Sequence, residues 1–145
     1  MSDLHELQLT LDLPGSLPGA DLALLRWHLE DDDSKPEATY TYPLLSGRGP
    51  AQRIGGVLVS VLEPSKHGWA LTARQEVHPD EFDQLRELVG WLAARTSTFG
   101  TIGHLRGLEQ EIPDMLVADP AAGTARRMTL TPRTSEVDLI PDPWG

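Results

Sequence analysis

Leucine alternates with polar residues without a break from Glu6 to Leu13. Leu7, Leu9, Leu11 and Leu13 fall on one side of an extended chain, and Glu6, Gln8, Thr10 and Asp12 fall on the other. A period of two predicts a half-buried strand. Pro14-Gly15-Ser16 ends it, Pro18 suits a first helical turn, and Asp21 follows near the positive end of the helix dipole. Leu22, Leu25 and Leu29 share a helical face, which predicts a helix over residues 18–30. Ala23, Leu25, Trp27 and Leu29 satisfy a period of two as well, so a strand remains the alternative there.

Asp31 to Gln52 reads as a long polar loop punctuated by Pro36, Pro43, Pro50, Gly47 and Gly49, with Thr39 to Tyr42 able to serve as an edge strand. Ile54 to Leu62 places Val57, Val59 and Val61 on one face and Leu58, Ser60 and Leu62 on the other, which predicts a strand buried on much of both sides. Turn residues fill Glu63 to Gly68. Trp69 to Val77 alternates again, so the two strands should pair as an antiparallel hairpin.

Phe82, Leu85, Leu88, Val89 and Leu92 form an apolar stripe, and Asp80, Glu81 and Asp83 crowd the first turn, which predicts a helix from about Pro79 to Arg95. Thr101 to Glu109 is extended, and strands at Asp114–Ala118 and Ala125–Leu130 flank the turn Asp119-Pro120-Ala121-Ala122-Gly123. In order, these elements give an α+β fold: a ferredoxin-like β-α-β-β-α-β antiparallel sheet with an added C-terminal hairpin. One domain covers residues 1–131, and an irregular tail covers 132–145. Helices on one face leave the other open, with Gln8, Thr10, Thr72 and Arg74 placed on it.

A length of 145 residues suits a single core. The net charge of −10 excludes nucleic acid and anionic membrane surfaces as expected partners, because both need clustered Lys and Arg, and Arg126-Arg127 is the only adjacent basic pair. The absence of cysteine excludes disulfides and thiolate metal sites and fits the cytoplasm. No apolar run approaches the roughly 20 residues of a membrane span, and the first residues lack a signal-peptide pattern. Arginine outnumbers lysine ten to two, as in a GC-rich genome.

Candidate chemistry is sparse. His78-Pro79-Asp80 matches the J-domain tripeptide, but it follows a strand and opens a helix, so an ordinary helix start is the better explanation. His5, His28, His67, His78 and His104 lack the close spacings of metal sites, and Asp31-Asp32-Asp33 lacks the calcium-loop pattern. Gly47-Arg48-Gly49-Pro50 and Gly55-Gly56 match no phosphate-cradling loop. No catalytic, cofactor or metal residue is therefore predicted. Glu109 and Glu111 share one parity of an extended chain and could pair for acid–base work, with exposed edge charge as the simpler role. Tyr40, Tyr42 and Trp144 stand in irregular segments and, with Glu109 and Glu111, are the candidate partner-binding residues.

Phe82 to Leu92, then Ser97 to Arg106, together with Gly68-Trp69 and the Pro141–Pro143 segment, resemble small immunity proteins of bacterial polymorphic-toxin systems. That resemblance implies an acidic protein that binds and blocks a toxin and needs no catalytic residue. The leading expectation is a non-catalytic protein-interaction domain with a protein partner, a basic one being favoured by the charge. Two alternatives stand beside it. One is a small-molecule-binding or enzymatic domain with a pocket between the sheet face and the 31–52 loop, and the other is a homodimeric structural protein with sheets packed face to face.

Overall fold

A computed structural model describes residues 4–30 and 40–130. The chain runs β1 (His5–Pro14), α1 (Gly19–Glu30), β2 (Gly49–Pro50), β3 (Val57–Ser65), β4 (Gly68–Val77), a 3-10 turn (Pro79–Glu81), α2 (Phe82–Arg95), β5 (Gly100–Gly107), β6 (Asp114–Asp119) and β7 (Thr124–Met128). The fold is α+β, with two helices and one seven-stranded sheet in the order β2-β3-β4-β1-β5-β6-β7, every pair antiparallel. The ferredoxin-like topology is not matched as a whole: β2 extends the sheet beyond β3, and β6 and β7 extend it beyond β5. The edge strand expected around Tyr40 to Tyr42 is irregular backbone, and Thr39 lies outside the described residues. The edge beside β3 is instead the two-residue β2, short because Pro50 cannot donate to a ladder.

Leu7, Leu9, Leu11 and Leu13 of β1 are buried with Leu71, Ala73 and Val77 of β4, beneath Leu25 and Leu29 of α1 and Leu85, Leu88 and Leu92 of α2. Of residues 18–30, Gly19–Glu30 are helical, and the pair between Arg95 Nε and Asp21 Oδ2 at 2.9 Å ties α1 to α2. The helix expected from about Pro79 opens as the 3-10 turn Pro79–Glu81, capped by the His78 side chain, and becomes α-helical at Phe82. The His78 ring accepts from the Asp80 N–H at 3.1 Å, and Glu81 accepts from the His78 N–H at 3.1 Å, a reciprocal cap that satisfies two otherwise unpaired donors. The β3–β4 ladder runs on through Pro64 to Ser65, so the turn is only Lys66-His67 rather than Glu63 to Gly68.

Strand β5 carries a bulge between Thr101 and Gly103. The extra residue shifts the parity, so that Ile102 and Leu105, three apart, both point into the core. Gly103 sits at this bulge directly against β1, where a Cβ would overlap the carbonyl oxygen of Gln8. Only glycine allows that approach.

Candidate functional site

The helices cover one face of the sheet. The other face is built from the alternate residues of each strand, and its cross-strand rows can be read from the register. One row runs Val59, Arg74, Gln8, His104, Met115, Met128. At its centre the Glu6 carboxylate accepts from Arg74 Nε at 3.0 Å and Nη2 at 2.6 Å, from Arg106 Nε at 3.3 Å, and lies 3.3 Å from His104 Nε2. Burial alone would raise the Glu6 pKa, but hydrogen bonds from Arg74, Arg106 and His104 and the charge of Arg74 outweigh it and hold the group below its ordinary 4.5.

Glu76 lies directly across from Glu6 on this face. It turns the other way and accepts the backbone N–H groups of Gln52, Arg53 and Ile54 at 2.8, 2.6 and 3.1 Å. Its burial is likewise outweighed by those three donors, and its pKa is lowered. Gly55 and Gly56, at φ 81° and 70°, turn the chain back into β3, and Arg74 Nη1 donates to the carbonyls of Gly55 and Val57. The strand expected to begin at Ile54 therefore begins at Val57, because residues 52–54 are held by Glu76 rather than by a ladder.

Beside this saturated network stands an apolar row. Val57, Val59 and Val61 are 56%, 38% and 45% exposed, whereas Leu58 and Ser60, on the opposite parity, are buried. The expected burial on both sides of this strand is corrected: the helices supply a layer on one side only. Met128, 42% exposed, lies at the far edge of the same face, separated from the valines by Arg74, Gln8 and His104. All three guanidinium nitrogens of Arg74 and both oxygens of Glu6 are engaged, so the polar centre meets a partner already paired, and the valines supply the area to be removed from water.

The sequence-predicted site residues are not brought together. Tyr40 is buried, its ring against His28 at 4.4 Å and Trp27 at 6.4 Å, so it presents no surface to a partner. Tyr42 is 44% exposed beside Asp80 and Glu81; burial and then those two charges raise its hydroxyl pKa. Glu109 and Glu111 are exposed, but β5 ends at Gly107 and the chain turns there, with the Gln110 N–H donating to the Gly107 carbonyl at 3.0 Å. The extended pairing proposed for the two carboxylates is therefore absent. Trp144 lies outside the described residues. Residues 40–48 pack on the helix-bearing side, where the Leu44 N–H donates to His28 Nδ1 and Arg48 donates to the Leu29 carbonyl. Pro43, Leu44, Ser46, Gly47 and Gln52 of the described part of the 31–52 loop line a cleft of about 270 Å³ with Leu58, Gln75 and Glu76 at the edge of the sheet. Arg126 and Arg127 fall on opposite parities and both are exposed, and Arg127 also pairs with the buried Asp114 at 2.6 Å.

Sequence reasoning missed the valine row and the Glu6 centre. Parity had placed Glu6 and Arg74 on the same face, and that was the available signal. Among the described residues no three His, Asp or Glu side chains converge on a metal-binding position, and no helix is long and apolar enough to cross a membrane.

The fold and face together define an α+β domain with an antiparallel sheet covered by helices on one side and presenting an apolar row on the other. Compared with known proteins, the chain matches no family model, no curated protein and no solved structure.

Proposed function

We propose that this chain is a protein-interaction domain that engages its partner through the uncovered sheet face. The observation that carries the proposal is the exposure of Val57, Val59 and Val61 in one row on a strand whose neighbour β2 pairs only with Val57 and Leu58. Contiguous apolar surface of this kind marks interaction sites. A half-exposed valine yields about 1 kcal/mol when covered, so three supply about 3 kcal/mol, and the Met128 side of the face can add to it.

The inner strands β3-β4-β1-β5, with α1 and α2 as crossovers, are read as a ferredoxin-like core. Toxin immunity is the most concrete form of the function, supported by the resemblance of residues 82–92 and 97–106. The net charge of −10 would steer a basic partner and oppose pairing with a second copy, and the cytoplasm is the compartment in which such a protein would act.

Affinity capture with the tagged chain tests the proposal, wild type against Val59→Lys at low and at high salt. A stoichiometric partner held by the wild type and lost by the folded variant is the expected result. Equal capture by both overturns the role of the face, and a wild-type homodimer broken by Val59→Lys assigns the face to self-association instead.

A further inference from the structure

The helix-bearing side of the sheet is not filled evenly. Between helix α2 and the strands β5, β6 and β7 lies a cleft of about 370 Å³, within the range of small-ligand sites. Phe82, Leu85 and Val89 of α2 form one wall, and Leu105, Leu116 and Ala125 of β5, β6 and β7 form the other. The charged residues that line it are Arg86, Arg126 and Arg127, all cationic, in a chain of net charge −10.

The parity of β7 narrows these to two. Arg126 pairs across from Val117 on the open face, whereas Arg127 points inward, its Nε on Asp114 at 2.6 Å and its guanidinium 6.0 Å from the centre of the Phe82 ring. That bond leaves the two terminal nitrogens of Arg127 as further donors. Arg86 is exposed on α2 and makes no ion pair with another described residue. An apolar trough with guanidinium groups at its edge favours a ligand that is apolar along its length and anionic at one end, because a planar guanidinium receives a carboxylate through two parallel hydrogen bonds.

We propose that this cleft binds an aliphatic monocarboxylate, its chain between α2 and β5–β7 and its carboxylate against Arg86 and Arg127. This inference is independent of the role of the open sheet face, which lies on the other side of the sheet.

Titration of the full chain with octanoate, decanoate and dodecanoate, and with decanol as the neutral counterpart, tests it through the backbone amide shifts of Gly90, Gly123 and Ala125. Each added methylene should tighten binding about twofold in the carboxylate series if half buried and about fourfold if fully buried, since a buried methylene contributes about 0.8 kcal/mol. Decanoate should bind at least about tenfold tighter than decanol, the worth of a charge-assisted hydrogen bond. Arg86→Ala, on an exposed helical position, should shrink the preference for carboxylate and leave the chain-length dependence. Ala125→Phe should fill the cleft and abolish both.

Absence of amide shifts at millimolar ligand, or equal affinity for decanol and decanoate, overturns the proposal. Binding that appears only when Leu139→Ser and Trp144→Ala are introduced into the full chain also overturns it, by assigning the cleft to residues 131–145.

Discussion

Glu6 and Glu76 stand directly opposite each other across the β1–β4 ladder and never meet as a charge pair. Like charges at such positions destabilise a sheet. Each carboxylate is turned to its own donors: Glu6 to Arg74, Arg106 and His104, and Glu76 to three backbone N–H groups. Arg74 links the two halves, because it also holds the Gly55 and Val57 carbonyls.

Replacing Arg74 with Met should therefore cost about 2–3 kcal/mol, since it leaves a part-buried carboxylate short of its main partner and frees two carbonyls. Urea denaturation of wild type and variant measures the difference. Glu6 has a lowered pKa in the fold, so the stability it contributes is present above pH 4.5 and is lost as pH falls through its folded value. The gap between wild type and Arg74→Met should accordingly narrow below pH 4.5. A gap that stays constant would place the effect in packing rather than charge.

His28 supplies a second pH dependence in a separate window. Its ring is fully buried, Nδ1 accepts from the Leu44 N–H at 3.2 Å, and the proton of the neutral ring therefore sits on Nε2, which has no hydrogen-bond partner. Burial lowers its pKa from 6.5 to about 4. The unfolded chain takes up this proton first, so stability is full above pH 6.5 and falls as pH drops toward 4, by on the order of 3 kcal/mol. Urea midpoints between pH 7 and pH 4.5 should show this slope, and His28→Gln should flatten it.

Gly103→Ala should be among the most damaging small substitutions in the sheet. The added methyl would overlap the Gln8 carbonyl across the β1–β5 ladder, where backbone has no rotamer to yield. A loss of about 3 kcal/mol, at the upper end for overpacking, is expected in thermal or urea unfolding. Gly90→Ala, where a Cβ meets nothing, is the matched control and should be neutral or stabilising.

Most elements were legible because their periods were clean. The leucines of β1 share one parity, and the stripe of α2 admits only a helix. Residues 18–30 were not decidable locally: the buried set Leu25, Trp27, His28 and Leu29 follows neither template alone, and packing beneath residues 40–48 chose the helix. The valines misled for a different reason. A strand apolar on both parities shows that both sides can be buried, but whether a second layer exists is a property of the whole chain. Tyr40 and Tyr42 are two residues apart in one irregular segment, and packing against His28 and Trp27, invisible in sequence, separates the buried ring from the exposed one. Glu109 and Glu111 were placed by the parity of a strand that stops at Gly107.

Hydrogen–deuterium exchange of the chain with and without its captured partner tests the interaction face most directly. Slowed exchange confined to β3 and its neighbours on the uncovered face, with an affinity lowered at least about tenfold by Val59→Lys, is the predicted result. Protection that falls on Tyr42 and residues 79–84, or on the α2–β7 side, with Val59→Lys binding as wild type, would contradict it.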